Sequence, residues 1–164
     1  MKVLGIDPGF GRTGLGVVEF NGTDAKHVWH DCLETSSKDD FSVRLMAVRD
    51  AVRDAIVKFQ PEAVAVEKLF FQSNVKTAIN VGMARGVILL AVADAGLPVV
   101  ELTPNEIKQA VAGYGSADKK QIQSMVVKLL RLTQVPKPDD AADALAIAIA
   151  GGLTYRTNLR LSQG

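Results

Sequence analysis

"VLGIDPGFGRTGLGVVEF" (Val3–Phe20) is two apolar runs separated by one carboxylate, Asp7, then Pro8 and a cluster of glycines. Aliphatic and β-branched residues flank the turn on both sides. They predict strands at Lys2–Ile6 and Gly14–Phe20, joined as a hairpin. The question is why a lone acid closes a strand that is otherwise fit for burial.

Three answers compete. "GFGRTG" (Gly9–Gly14) matches the dinucleotide pattern G-x-G-x-x-G. That fingerprint needs a helix to begin inside the turn and meet the pyrophosphate, whereas "LGVVEF" is strand-like. The phosphate loop of actin-like ATPases also opens with Asp-x-Gly between strands, but those proteins close two lobes on the nucleotide, and 164 residues hold one. The other Asp-x-Gly, Asp94–Gly96, sits at a helix end, where Gly96 serves as the cap. Taken alone, Asp7-Pro8-Gly9 is a turn. The third answer, a metal ligand, depends on acids elsewhere in the chain.

Outward from the hairpin, "AKHVWHDCLET" (25–35) is rich in β-formers and predicts a third strand. Phe41, Leu45, Val48, Val52, Ile56 and Phe59 form a helical stripe stopped by Pro61. "EAVAVE" (62–67) reads as a strand covered on both faces. A long helix at 74–95 ends at Gly96 and Pro98, and "PVVEL" (98–102) is another strand. Helices follow at about 104–112 and 117–130, the second capped by Ser116, and a last helix at 139–150. This order predicts an α/β fold: a mixed five-stranded sheet with helices on both faces, in a single domain over 1–152. Residues 153–164 are expected to be a basic, flexible tail.

The length suits one full-sized core. A net charge of +1 announces neither nucleic acid nor membrane, so any basic footprint must be local. One cysteine and two histidines exclude a disulfide and a Cys/His zinc site. "MKVLGIDPGF" lacks the apolar length of a signal peptide, and Val81–Ala95 is too short to span a bilayer and contains Arg85. The expectation is a cytoplasmic protein without a membrane partner.

Glu67 repeats the situation of Asp7: it closes the strand "AVAV" and precedes a loop. Active sites of open sheets collect outside the carboxyl ends of the strands. In "PKPDDAADALAIAIA" (136–150), Asp140 and Asp143 share a helix face at the border of a buried run, and Asp139 lies four before Asp143. Spacing alone does not choose between Asp139 and Asp140. Clustered carboxylates repel unless something neutralises them, and they suit Mg²⁺ or Mn²⁺ rather than zinc. Two such ions roughly 3.5–4 Å apart serve phosphodiester hydrolysis.

"GIDPG", "AVE-x-x-F", "GSADK" and "DAADALAIAI", in that order over roughly residues 1–150, make the chain resemble the RuvC-type Holliday junction resolvases of the ribonuclease H-like superfamily. The resemblance implies a metal-dependent crossover junction endodeoxyribonuclease. Its four metal-binding acids fall on Asp7, Glu67, Asp140 and Asp143, with Asp139 an extra acid. Its base-stacking aromatic falls on Phe70, with Phe71 next to it. Lys108 in "TPNEIKQ" and Lys119 in "GSADKK" match lysines that contact DNA or assist the scissile phosphate; Lys120 and Arg85 are further candidates for phosphates. The resemblance also implies RuvA and RuvB, branch-migration proteins, as partners.

The helix at 74–95 is apolar nearly all round, which predicts a second covering partner and hence a homodimer. A four-way DNA junction with near two-fold symmetry suits such a dimer. Two other readings stay open: a ribonuclease H-like nuclease acting on RNA or an RNA–DNA hybrid, and a junction-binding protein without catalysis.

Overall fold

The structure is a computed structural model that describes residues 1–68 and 75–162. Among the described residues the elements run β1 (Lys2–Asp7), β2 (Arg12–Asn21), β3 (Asp24–Glu34), α1 (Phe41–Phe59), β4 (Ala63–Glu67), α2 (Val75–Asp94), β5 (Val99–Leu102), α3 (Pro104–Ala112), α4 (Lys119–Leu129) and α5 (Asp139–Leu161). The sheet order is β3-β2-β1-β4-β5. The first three strands meander antiparallel, and β4 and β5 extend the sheet in parallel from β1. The expected mixed five-stranded sheet with helices on both faces is what forms.

Alternation along the strands sorts the two cores. Val3, Val18 and Ala65 point to the face covered by α3, α4 and α5. Leu4, Ile6, Val17 and Val64 point to the face covered by α1 and α2. The glycine-rich turn does open into a strand: Asp7 pairs with Gly14 across the hairpin. The glycines also make room. A Cβ on Gly5 would overlap Ala144 and Ala148, and one on Gly14 would overlap the Asp140 carbonyl. With no side chain at these positions, α5 lies directly on the hairpin backbone.

Two expectations need correction. The cap of α4 is Asp118, not Ser116: its carboxylate accepts from the Gln121 N–H at 2.8 Å, and the Gln121 side chain accepts from the Asp118 N–H at 2.8 Å. A reciprocal box needs Gln or Glu three residues on; a cap at Ser116 would have put Lys119 there. The second concerns the end of the chain. Helix α5 continues to Leu161 through the stretch expected to be a flexible basic tail. Gly151 and Gly152 read as a stop, but both are buried where a Cβ would strike Ala65 and the Phe20 ring. Leu153 and Tyr155 then pack on the same core. Tertiary packing overrides the weak helix propensity of glycine.

Gly14→Ala is expected to destabilise the protein by about 1–3 kcal/mol, the scale of overpacking a tight contact. Urea denaturation of the variant beside Gly11→Ala measures it, since a Cβ on Gly11 meets nothing within 4 Å.

Candidate active site

β1 and β4 are adjacent and parallel, with Ile6 paired to Val66. Asp7 and Glu67 are the next residues on each strand. Both carboxylates therefore leave the sheet side by side, on the face of Val3 and Ala65, which α5 covers. The close seat of α5 brings its first turns over this edge. Asp7, Glu67 and Asp143 line one cleft together with Lys108 of α3 and Lys119 of α4, over an apolar floor that includes Ile107 and Ile147. Asp140 stands at the margin, with one carboxylate oxygen 3.9 Å from the Arg12 guanidinium.

The crowding has an electrostatic signature. Burial pushes the Asp7 carboxyl up to about 7, with Asp143, Glu67 and Asp140 adding like-charge repulsion and Lys119 opposing it. Glu67 is raised by burial and by Asp143, partly offset by Lys108. Asp143 is raised by burial although Lys119 pulls it down. The Lys119 ammonium lies 3.2 Å from a carboxylate oxygen of Asp139 and 3.2 Å from one of Asp143. Burial would lower its pKa, but those two acids outweigh burial and raise it. Lys119 is therefore a built-in cation at the edge of an acidic cleft.

The donor set is all carboxylate oxygen, which fits a hard divalent cation. Asp7 is raised first by burial and then by repulsion from Asp143, Glu67 and Asp140, which Lys119 only partly offsets, so a cation here would relieve both the desolvation and the repulsion. As the side chains stand, among the described residues no three Asp, Glu, His or Cys groups are arranged to hold an ion outright. One physical reason is visible: Asp143 is turned to Lys119. Asp7, Glu67, Asp143 and Asp140 fit the group electrostatically, with Asp143 required to exchange one cation for another.

The other expected site residues sort as follows. Phe70 and Phe71 lie outside the described residues. Lys120 is exposed and lines a second groove, apart from the cleft that Lys119 lines. Arg85 donates to the Glu67 carbonyl at 3.3 Å and pairs with Glu101, so the expected phosphate contact would compete with two partners it already has. His27 and His30 hydrogen-bond each other on β3 at 2.7 Å.

Three residues escaped the sequence reading. Arg12 links Glu34, at 3.0 Å, to Asp140. Arg44 lies 3.7 Å above the Phe10 ring and donates to the Phe10 carbonyl and the Thr35 hydroxyl, pinning the turn after Asp7. Glu101 holds Arg85 against the end of β4. Each is an ordinary charged residue in sequence, and only the long-range pairing gives it a role.

The family model for crossover junction endodeoxyribonuclease RuvC matches residues 3–151. The chain is 46% identical over 164 residues to the crossover junction endodeoxyribonuclease RuvC of Thermotoga petrophila, covering 100% of this chain and 99% of that one. It is 52% identical over 149 residues to that of Moorella thermoacetica, covering 91% and 89%. The structure of Thermus thermophilus RuvC in complex with a Holliday junction substrate superposes with a TM-score of 0.91 at 38% identity, covering 96% of each chain.

The Asp7 shift sets a pH dependence. Its carboxyl titrates near 7 when folded and near 3.8 when unfolded. Between those values the folded state holds a proton that the unfolded state has lost, so this stability is present at low pH and lost as pH rises through 7. In chelator at pH 8, Asp7→Asn should melt higher than the parent, by roughly 5–10 °C. The gap should close by pH 4. Calorimetry across that range checks it; a variant no more stable at pH 8 than the parent would contradict the burial of a charged Asp7.

Proposed function

The chain belongs to the RuvC family of crossover junction endodeoxyribonucleases, and from that membership we propose that it resolves four-way DNA junctions by metal-dependent phosphodiester hydrolysis. It nicks two strands of like polarity as a homodimer, in the cytoplasm, beside the branch-migration proteins RuvA and RuvB that the family resemblance implies. The observation that carries the reading is the meeting of Asp7, Glu67 and Asp143, from three separate elements, in one lysine-lined cleft.

Asp7, Glu67, Asp140 and Asp143 would hold Mg²⁺, or Mn²⁺ in its place, as two ions. Bound ions supply Lewis-acid activation of water and of the leaving oxygen. The chain's own residues do the rest. Asp7 and Glu67 are fixed by neighbouring strands, so their spacing costs no reorganisation. With Asp143 holding an ion, the Lys119 ammonium that it now pairs with would be free to meet the scissile phosphate's negative oxygens. Lys108, which lines the same cleft from α3, offers a second point charge. Phe70 and Phe71, in the segment that follows Glu67, would stack on bases at the exchange point.

The homodimer reading has support on α2. Ile79, Met83 and Leu90 are each about half exposed or more, with Gly86 open between them. Their spacing of four, three and four is that of a seam between two helices. A second copy of α2 would cover it. No helix of the described residues is long and apolar enough to cross a membrane.

Asp7→Asn and Glu67→Gln should bind a synthetic mobile junction as the parent does, yet cut it at least about 10²-fold more slowly in Mg²⁺, the scale for losing one directly stabilising group. Gel assays of binding in chelator and of nicking in Mg²⁺ measure both. Undiminished cutting would overturn the ligand assignment. Parent enzyme that prefers an RNA–DNA hybrid or plain duplex to the junction would overturn the substrate.

A further inference from the structure

Helix α4 carries two consecutive lysines with different surroundings. Lys119 is bound to Asp139 and Asp143 at the catalytic cleft. Lys120 points into a separate groove between α3 and α4, lined also by Tyr114, Ser124 and Lys128. Lys120, Ser124 and Lys128 are four residues apart along the exposed side of α4, while Ile122 and Val126 bury the other side. Among the described residues neither Lys120 nor Lys128 is held in an ion pair, so both ammonium groups are open to a ligand.

We propose that Lys120, Ser124 and Lys128 form a track for the sugar–phosphate backbone of a junction arm, leading away from the catalytic cleft. The proposal rests on the nuclease reading above and adds to it a second DNA contact outside the cleft.

Three features argue for a phosphate chain as occupant. The first is length. The eight helical steps from Lys120 to Lys128 rise about 12 Å, the axial rise of three to four phosphates in one strand of a duplex. The second is chemistry: two ammonium groups flank a hydroxyl donor, and the Tyr114 phenol, 45% exposed, adds another donor on the opposite wall. The third is how the groove's one acid is used. Asp118 lines it, but its carboxylate accepts from the Gln121 N–H as the helix cap, so its charge is directed at the helix end. A chain of phosphates entering here meets cations in series. Because Lys119 and Lys120 are neighbours, the track begins where the cleft ends.

The test is junction binding by the full chain, in chelator, across a salt series. Lys120→Gln with Lys128→Gln is compared with a charge-matched control, Lys26→Gln with Lys38→Gln, two exposed lysines elsewhere on the surface. Gln keeps the helix propensity of Lys, and circular dichroism confirms folding. For a junction with long arms, the track variant should lose affinity on the order of tenfold, and its dependence of log affinity on log salt should flatten by about two phosphate contacts. The control should change neither. On a junction trimmed to very short arms, the track variant should match the parent. Equal losses in track and control variants would mean a net-charge effect only and would overturn the proposal. So would unchanged binding by the track variant, which would leave the groove to an acidic protein. Failure of the parent itself to bind junctions would refute the substrate reading, a separate outcome.

Discussion

The close seat of α5 on the β1–β2 hairpin is the constraint on which the site depends. Gly5 and Gly14 below, and Ala144 and Ala148 above, remove the side chains that would hold the layers apart. Only then do the first turns of α5 come down over the strand ends where Asp7 and Glu67 emerge. A helix held at ordinary distance would carry Asp140 and Asp143 away from their partners. The small residues thus do geometric work that no charged residue in the cleft performs.

That proximity creates an electrostatic problem, and the protein meets it in part with the ammonium group of a lysine. Several carboxylates share a partly buried edge, and the cost appears as the raised pKa of Asp7, Glu67 and Asp143. Lys119 relieves part of it by pairing with Asp139 and Asp143. Asp139, which does not line the cleft, has a physical use here: it anchors the lysine from outside. The reciprocal cap at Asp118 fixes where α4 begins and therefore where Lys119 reaches.

Much of this was legible in the chain itself. Alternation and helical periodicity located the strands and helices, because each is a local pattern of burial. The acids could be nominated, since a carboxylate closing an apolar strand is costly without a use. Three kinds of information were not local. The glycines of "GFGRTG" were legible as a turn between strands, but nothing nearby in the chain says that Gly14 makes room for the backbone of a helix more than a hundred residues away. Gly151 and Gly152 looked like an ending for the same reason: what fills the space beside them, Ala65 and Phe20, comes from distant strands. Arg12, Arg44 and Glu101 carried no motif, because each acts through a partner brought in by folding. Ser116 was chosen as a cap by residue type alone; the position of Gln121 selects Asp118 instead.

The continuation of α5 to Leu161 has a mechanical meaning. One helix of 23 residues, about 34 Å long, joins the acids of the cleft edge at its start to an exposed, basic far end. Gly151 and Gly152 press against the sheet near its middle like a fulcrum. The orientation of Asp140 and Asp143 is thus tied to the tilt of the whole rod, and the terminal turns, which touch nothing in the cleft, share in aiming it.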